Sequence, residues 1–195
     1  MISLFIDTSL SDVSIALVKD NLLLSKIHED IPQKHSVYVV KYIENILKEN
    51  KLSPKNVDEI IVVNGPGSFT GIRIGVTIVK TYAYLLNIRV VTITSLLARV
   101  IGLKGNYFLS LIDAKHDNYY VGLYDEYYNK ITEGFMNIDK INELKLEYSP
   151  EVVDIDKEYD IEKIITYTKK MPSINPHSVN PIYLKEPEAV EKKSC

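Results

Sequence analysis

Four of the chain's eight glycines, Gly65, Gly67, Gly71 and Gly75, fall within eleven residues of the run VNGPGSFTGIRIG. Glycines this dense let backbone amides approach an anion, and a helix opening behind them leaves its first N–H groups free. The chemistry to consider first is therefore phosphate binding. Gly65, Pro66, Gly67, Ser68 and Thr70 would form the loop at the helix start. The familiar fingerprints do not fit it. Gly71 is followed by Ile72 rather than Lys, and Thr70 stands where a dinucleotide loop has its third glycine. Pro66 and Thr70 occupy the places where a nucleophile elbow around Ser68 needs glycines. What is left is a helix N-terminus that caps itself through Ser68 or Thr70, or holds an anion.

A second place for phosphate chemistry is the turn Asp7-Thr8-Ser9, where small hydroxyl residues follow a strand and a carboxylate. Its counterpart further on, Asp113-Ala114-Lys115-His116-Asp117-Asn118, has no glycine and adds a negative charge where a phosphate tail would sit. No glycine follows Gly134, so a two-lobed nucleotide clamp would lack the close backbone approach it needs in its second half. The expectation is a degenerate phosphate loop at Asp7, Thr8, Ser9 and Asp113, with no catalytic residue and no cofactor. His28, His35, His116 and His177 form no i, i+3 or i, i+4 pair, so no metal site is expected. No Ser, His and Asp set emerges from spacing either.

These residues need elements to position them. Residues 2 to 28 run apolar in three short pieces, ISLFI, VSIALV and LLLSKI, separated by turn-prone DTSLSD and KDN, an antiparallel meander. From Ser36 to Asn50 the period changes, with Val39, Val40, Ile43, Ile46 and Leu47 at helical steps. DEIIVVN is a buried strand, GPGSFTG opens a helix reaching about Leu86, and Ile88 to Ile93 is a further strand. The order βββαβαβ is that of a ribonuclease H-type fold, an α/β mixed sheet flanked by helices. A short helix within residues 94 to 103 ends at Gly102, and the pattern then restarts with NYFLSLI. Setting LFIDTSLSDVSIALV over SLIDAKHDNYYVGLY without gaps puts Asp7 on Asp113, Val13 on Tyr119 and Ala16 on Gly122. Two related lobes follow, residues 1–98 and a smaller, reduced 99–195, with the tail expected to pack back on the first. Beyond Tyr128 the pattern thins to one helix from about Ile161 to Lys170 and a tail marked by Pro172, Pro176, Pro181 and Pro187.

The helix behind the glycine loop carries two apolar stripes. Ile72, Val76, Val79, Ala83 and Leu86 can cover the sheet, while Gly71, Gly75, Ile78, Tyr82 and Leu85 place small residues four apart. The second stripe reads either as a seam for another chain or as a face buried within this one. Composition narrows the rest. A chain of 195 residues, 46% hydrophobic and 25% charged, supports a cored protein, and its formal charge of −3 offers no cation surplus for solitary RNA binding. One cysteine, Cys195, excludes a disulfide framework. The opening strand has no cationic leader and the apolar runs are too short for a membrane span, so a cytoplasmic protein without membrane contact is expected.

The segments FIDTSLSDVSIALV, HSVYVVKYIENIL and VNGPGSFTGIRIGVTIVKTYAYLLNIRVVTITSL together closely resemble the TsaB (YeaZ) family, over nearly all of residues 1 to 98. The resemblance continues more weakly through LIDAKHDNYYVGLYD and the tail VNPIYLKEP. It implies the actin-like ATPase (ribonuclease H-type) fold and a pseudo-enzyme subunit. With the catalytic subunit TsaD and the small ATPase TsaE, such a subunit serves the transfer of a threonylcarbamoyl group to an adenosine beside the tRNA anticodon. Pairing with TsaD, or with a second copy as a homodimer, would use the first two helices, with His35, Tyr38, Tyr42, Gly71, Gly75, Ile78 and Tyr82 at the contact. tRNA would be met only through the complex. Relatives of the TsaD kind carry two metal-binding histidines four apart on the first helix; His35 matches one, and Val39 stands at the other place. The competing readings are an ATP-dependent phosphotransferase of sugar-kinase type, using Asp7 and Thr8 around magnesium and phosphate, and a peptidase, which lacks a zinc pair and a nucleophile.

Overall fold

In the computed structural model, which describes residues 1–31, 34–153 and 158–185, two mixed sheets are formed in succession. β1 (Ile2–Asp7), β2 (Asp12–Lys19) and β3 (Leu22–Asp30) make the expected antiparallel meander. β4 (Glu59–Val63) joins β1 in parallel and β5 (Arg89–Ile93) joins β4, giving the order β3-β2-β1-β4-β5. β1 and β4 are buried along their whole length, which is why both read as unbroken apolar runs rather than as alternation. Leu4, Ile6, Val13, Ile15 and Leu17 feed one core cluster, and Phe5, Ala16 and Val18 feed the cluster on the other face. The two-residue period of a strand sorts them.

Helices α1 (His35–Glu49) and α2 (Phe69–Leu86) cover the first face. α1 buries Val39, Ile43, Ile46 and Leu47; α2 buries Ile72, Val76, Val79 and Ala83. At about 1.5–3 kcal/mol for each large apolar side chain, this burial is what holds the helices to the sheet. α2 stops at Asn87, which takes the left-handed conformation with φ 53°. The short α3 (Ser95–Val100) lies towards the second cluster, capped by the Thr94 hydroxyl, which accepts the Leu97 amide at 3.1 Å.

The second sheet has the order β8-β7-β6-β9. β6 (Tyr107–Asp113), β7 (Asn118–Asp125) and β8 (Lys130–Asn137) repeat the meander, α4 (Ile138–Tyr148) crosses over, and β9 (Glu151–Val153) returns parallel to β6. This is the first sheet's topology with fewer strands, the architecture of an actin-like ATPase. The likeness extends to the turns: the Ser9 amide donates to Asp7 Oδ1 at 2.7 Å and the Lys115 amide to Asp113 Oδ1 at 2.8 Å. The ungapped alignment of the two halves, however, is one residue out beyond the turn. Asp7 pairs with Ser14, seven residues on, whereas Asp113 pairs with Tyr119, only six on. Three successive left-handed residues, Lys115, His116 and Asp117, tighten the second turn, and a one-residue slip exchanges the faces of the following strand.

α5 (Ile161–Thr168), close to its expected span, does not cover the second sheet. It buries Ile161, Ile164 and Ile165 in the same cluster as Phe5 and Ile61 of the first. The tail after it runs across the first lobe: the Ile174 amide donates to the Val90 carbonyl at 2.9 Å, Val179 is fully buried, and the Ile182 amide donates to the Asn64 carbonyl at 2.8 Å. Pro187 and Cys195 lie outside the described residues. No helix among the described residues is long and apolar enough to cross a membrane.

A buried carboxylate locks the sheet edge. Glu59, 1% exposed, accepts from Ser3 Oγ at 3.2 Å and pairs with Arg89, whose other terminal nitrogen donates to the carbonyl of Met171. Replacing Glu59 by Ala leaves Arg89 facing an empty, desolvated site and should cost about 3 kcal/mol. Urea unfolding of the variant against the parent checks this.

Candidate functional site

The glycine loop and the first turn meet, but they meet each other. Asp7, Thr8 and Ser9 are at most 5% exposed. The Ser68 amide donates to the Ser9 carbonyl at 2.6 Å, and the Thr8 hydroxyl donates to the Gly71 carbonyl at 2.8 Å. A Cβ on Gly67 would lie 2.1 Å from the Ser9 carbonyl oxygen, and one on Gly71 2.1 Å from that of Thr8. At Gly75 it would lie 2.4 Å from Thr8 Oγ1. These glycines therefore let the loop and α2 press onto the turn. Gly67, at φ 155°, also holds a conformation that side chains disfavour.

This corrects the expectation that Gly71 and Gly75 open α2 to another chain, because the close approach they permit is to Thr8 of the same chain. The loop is tied down from its other side as well. Ser95 donates its amide to the Gly65 carbonyl at 2.9 Å and its hydroxyl to the Pro66 carbonyl at 2.5 Å. Ser68 caps α2 by accepting the Gly71 amide at 3.3 Å, so self-capping is the role realised. Thr70 is exposed on the first turn of α2.

Asp7 is engaged from across the molecule. Tyr159, 152 residues away and just ahead of α5, donates its hydroxyl to Asp7 Oδ2. The Tyr159 ring stands edge-on to Phe5 at 5.4 Å, and the Arg99 guanidinium lies 5.2 Å above it. Burial pushes the Asp7 carboxyl above its ordinary range, against the hydrogen bonds from Tyr159 and the Ser9 amide. Burial likewise raises the Tyr159 phenol, helped by the neighbouring Asp7 charge. Asp113 differs: it is exposed and accepts the Lys115 amide of its own turn. The two halves of the proposed phosphate loop are thus not equivalent, the first sealed inside and the second on the surface.

His35, expected at the partner contact, is only 5% exposed, with Nε2 3.4 Å from the Asp12 carbonyl oxygen. Among the described residues no group of three His, Cys, Asp or Glu side chains could hold a metal ion. Tyr38 and Tyr42 stack at 5.7 Å along α1, and burial followed by the Glu29 charge raises the Tyr42 phenol. That places the pair towards β3, away from the side of α1 that faces α2. The groove between the two helices has a volume of about 470 Å³ and is lined by Ser36 and Val40 of α1 with Phe69, Arg73, Ile74 and Ile78 of α2 among others. Only Ile78 of the expected contact residues lines it. Tyr82 is half-buried at the edge of the core. Val37, Val40 and Phe69 expose 65%, 38% and 45% of their surface. The sequence signal for this groove was the surplus of apolar positions, Val37, Val40, Ile74 and Ile78, beyond the single stripe each helix needs to cover the sheet.

Two actin-like lobes with the first turn closed by its own loop define a protein of the ribonuclease H-type superfold. The family model described as "TsaD: tRNA N6-adenosine threonylcarbamoyltransferase" matches residues 26–182. The "tRNA threonylcarbamoyladenosine biosynthesis protein TsaB" of Bacillus subtilis (strain 168) is 34% identical over 137 residues, spanning 68% of this chain and 58% of that protein. An uncharacterized protein of Mycoplasma pneumoniae is 29% identical over 192 residues, spanning 94% of this chain and 95% of its own. The solved structure of YeaZ from Pseudomonas aeruginosa has a TM-score of 0.78 at 21% identity, covering 94% of this chain and 99% of that one. The chain belongs to this TsaD-type family and, within it, to the TsaB (YeaZ) family.

Because a Cβ on Gly71 would strike backbone rather than a movable side-chain end, Gly71→Ala should destabilise the fold by about 3 kcal/mol, measurable by denaturant unfolding. Asp7 yields a second expectation. Its native pKa lies above the unfolded value of about 3.9, so its contribution to stability is full below that pH and is lost as pH rises through the native pKa. The stability advantage of the parent over Asp7→Asn should therefore shrink from about pH 4 towards neutrality. Paired urea titrations across that window read it directly.

Proposed function

We propose that the chain takes part in the biosynthesis of threonylcarbamoyladenosine in tRNA as a non-catalytic subunit. In this reading it docks on a TsaD-type partner and activates it, with TsaE as a further member of the complex and tRNA met through that complex. The observation that carries the reading is the apolar groove between α1 and α2. Val40, Phe69, Ile74 and Ile78 are arranged there around about 470 Å³ of open space, on a face that contributes nothing to the chain's own core at Val37 or Phe69. Apolar side chains at 38–65% exposure on two neighbouring helices form the kind of surface that a partner helix covers. A second copy of the chain could cover the same groove.

The phosphotransferase reading finds no support at the residues it requires. Asp7 and Thr8 are buried, Asp7 is bonded to Tyr159, and the Thr8 hydroxyl is bonded to Gly71. A magnesium-bound triphosphate would have to displace the glycine loop from Ser9 before reaching them. That step breaks the Ser68–Ser9 and Thr8–Gly71 hydrogen bonds that close the turn.

Reconstitution decides the matter. TsaD and TsaE should modify tRNA only when this chain is added, and full activity without it would refute the proposal. Val40→Glu puts a charge into the groove without touching the buried stripe of α1. It should lower the modification rate at least about ten-fold while the melting temperature stays within a few degrees of the parent.

A further inference from the structure

At the end of the groove where α2 begins, one cation is held unusually firmly for an exposed residue. Arg73 donates through Nε to the Tyr183 hydroxyl at 3.0 Å, and its guanidinium carbon lies 4.0 Å above the centre of the Phe69 ring. The Phe69 and Tyr183 rings are themselves in contact, with centres 5.1 Å apart. Tyr183 is fixed in turn by the tail, since the preceding residue bonds its amide to the Asn64 carbonyl at 2.8 Å. An arginine on the surface ordinarily samples many rotamers. Here the stacking fixes the plane of the guanidinium and the bond to Tyr183 fixes its rotation.

The bond to Tyr183 uses one of the five N–H donors that a guanidinium carries. Among the described residues no carboxylate pairs with Arg73, although the chain forms ion pairs at Lys26, Arg89, Lys130, Lys140 and Lys163. All three members of the stack are exposed, Phe69 by 45% and Tyr183 by 41%, and Phe69 and Arg73 line the docking groove. A planar cation with its fork unclaimed, set rigidly at the edge of an apolar trough, has the geometry for bidentate capture of a carboxylate.

We infer that Arg73, held by Phe69 and Tyr183, is the polar anchor of the docking groove and takes an aspartate or glutamate from the edge of the partner's apolar helix. The inference rests on the docking reading above and adds the chemistry of its partner. It also gives the tail a role beyond covering the first lobe: Tyr183 fixes the anchor, so residues 110 positions apart build one surface. A protein carboxylate is favoured over a nucleic-acid phosphate by what surrounds the cation. Val40, Ile74 and Ile78 offer a phosphate backbone nothing, and the chain's formal charge of −3 repels one.

The test is titration calorimetry of the full chain with TsaD at about 50 mM and about 300 mM salt. The parent is compared with Arg73→Gln, Arg73→Lys, Tyr183→Phe and Val40→Glu. Arg73→Gln should weaken binding about ten-fold and flatten its salt dependence. Arg73→Lys should recover only part of the loss, because an ammonium cannot reproduce the fork. Tyr183→Phe, which keeps the ring and removes the Nε acceptor, should cost about three-fold. If Arg73→Gln binds TsaD like the parent while Val40→Glu does not bind, this inference falls and the docking reading stands. If Val40→Glu is also without effect, the docking reading falls with it. Loss of tRNA affinity in Arg73→Gln, with TsaD affinity unchanged, would overturn the carboxylate assignment.

Discussion

The contact on which the molecule depends is the one between the Ser9 carbonyl and the glycine loop. The Ser68 amide bonds that oxygen at 2.6 Å while Gly67 passes so close that no side chain could be added. Three things follow from this single approach. The turn after β1 is closed, α2 begins where Ser68 caps it, and the line of α2 across the sheet is set by Gly71 and Gly75 against Thr8. Since α1 lies beside α2, the groove between them inherits its shape from a contact at the head of α2.

The same constraint decides what the parts of a phosphate cradle face. A strand followed by Asp-Thr-Ser and a glycine-rich helix start are the parts of an anion cradle. Here the backbone groups that would face an anion face one another, and the carboxylate at the end of β1 is turned to a tyrosine from the second half of the chain. The Asp7–Tyr159 bond also ties α5 to the first sheet. The closed turn gives a firm footing to α2 and so to the groove on the outer face of α1 and α2.

That outer face is assembled from distant segments. α1 supplies Val40, α2 supplies Phe69, Arg73, Ile74 and Ile78, and the tail supplies Tyr183. Rigidity of such a surface matters as much as its apolarity, because side chains already held in place lose less entropy on binding. The Phe69–Arg73–Tyr183 stack is the clearest case, with each member restraining the other two.

Much of the first lobe was legible in the sequence because its strands are short apolar runs between turn residues and its helices carry a clean helical period. The second lobe was not, beyond Tyr128. β8 is half-buried without alternation, β9 has three residues, and α4 buries only Ile141 and Leu144, so no period accumulates over those elements. The duplication was visible, but not its one-residue slip, since a shorter turn leaves the pattern of each strand intact. By itself the sequence determined the order of elements as far as β7, the glycine loop at the head of α2 and the absence of a paired histidine motif, all consequences of local chemistry. Only the tertiary structure decided what the glycines approach, that His35 and Asp7 are buried, and which helix faces stay open. Those are questions of which surfaces meet, and spacing along a chain does not answer them.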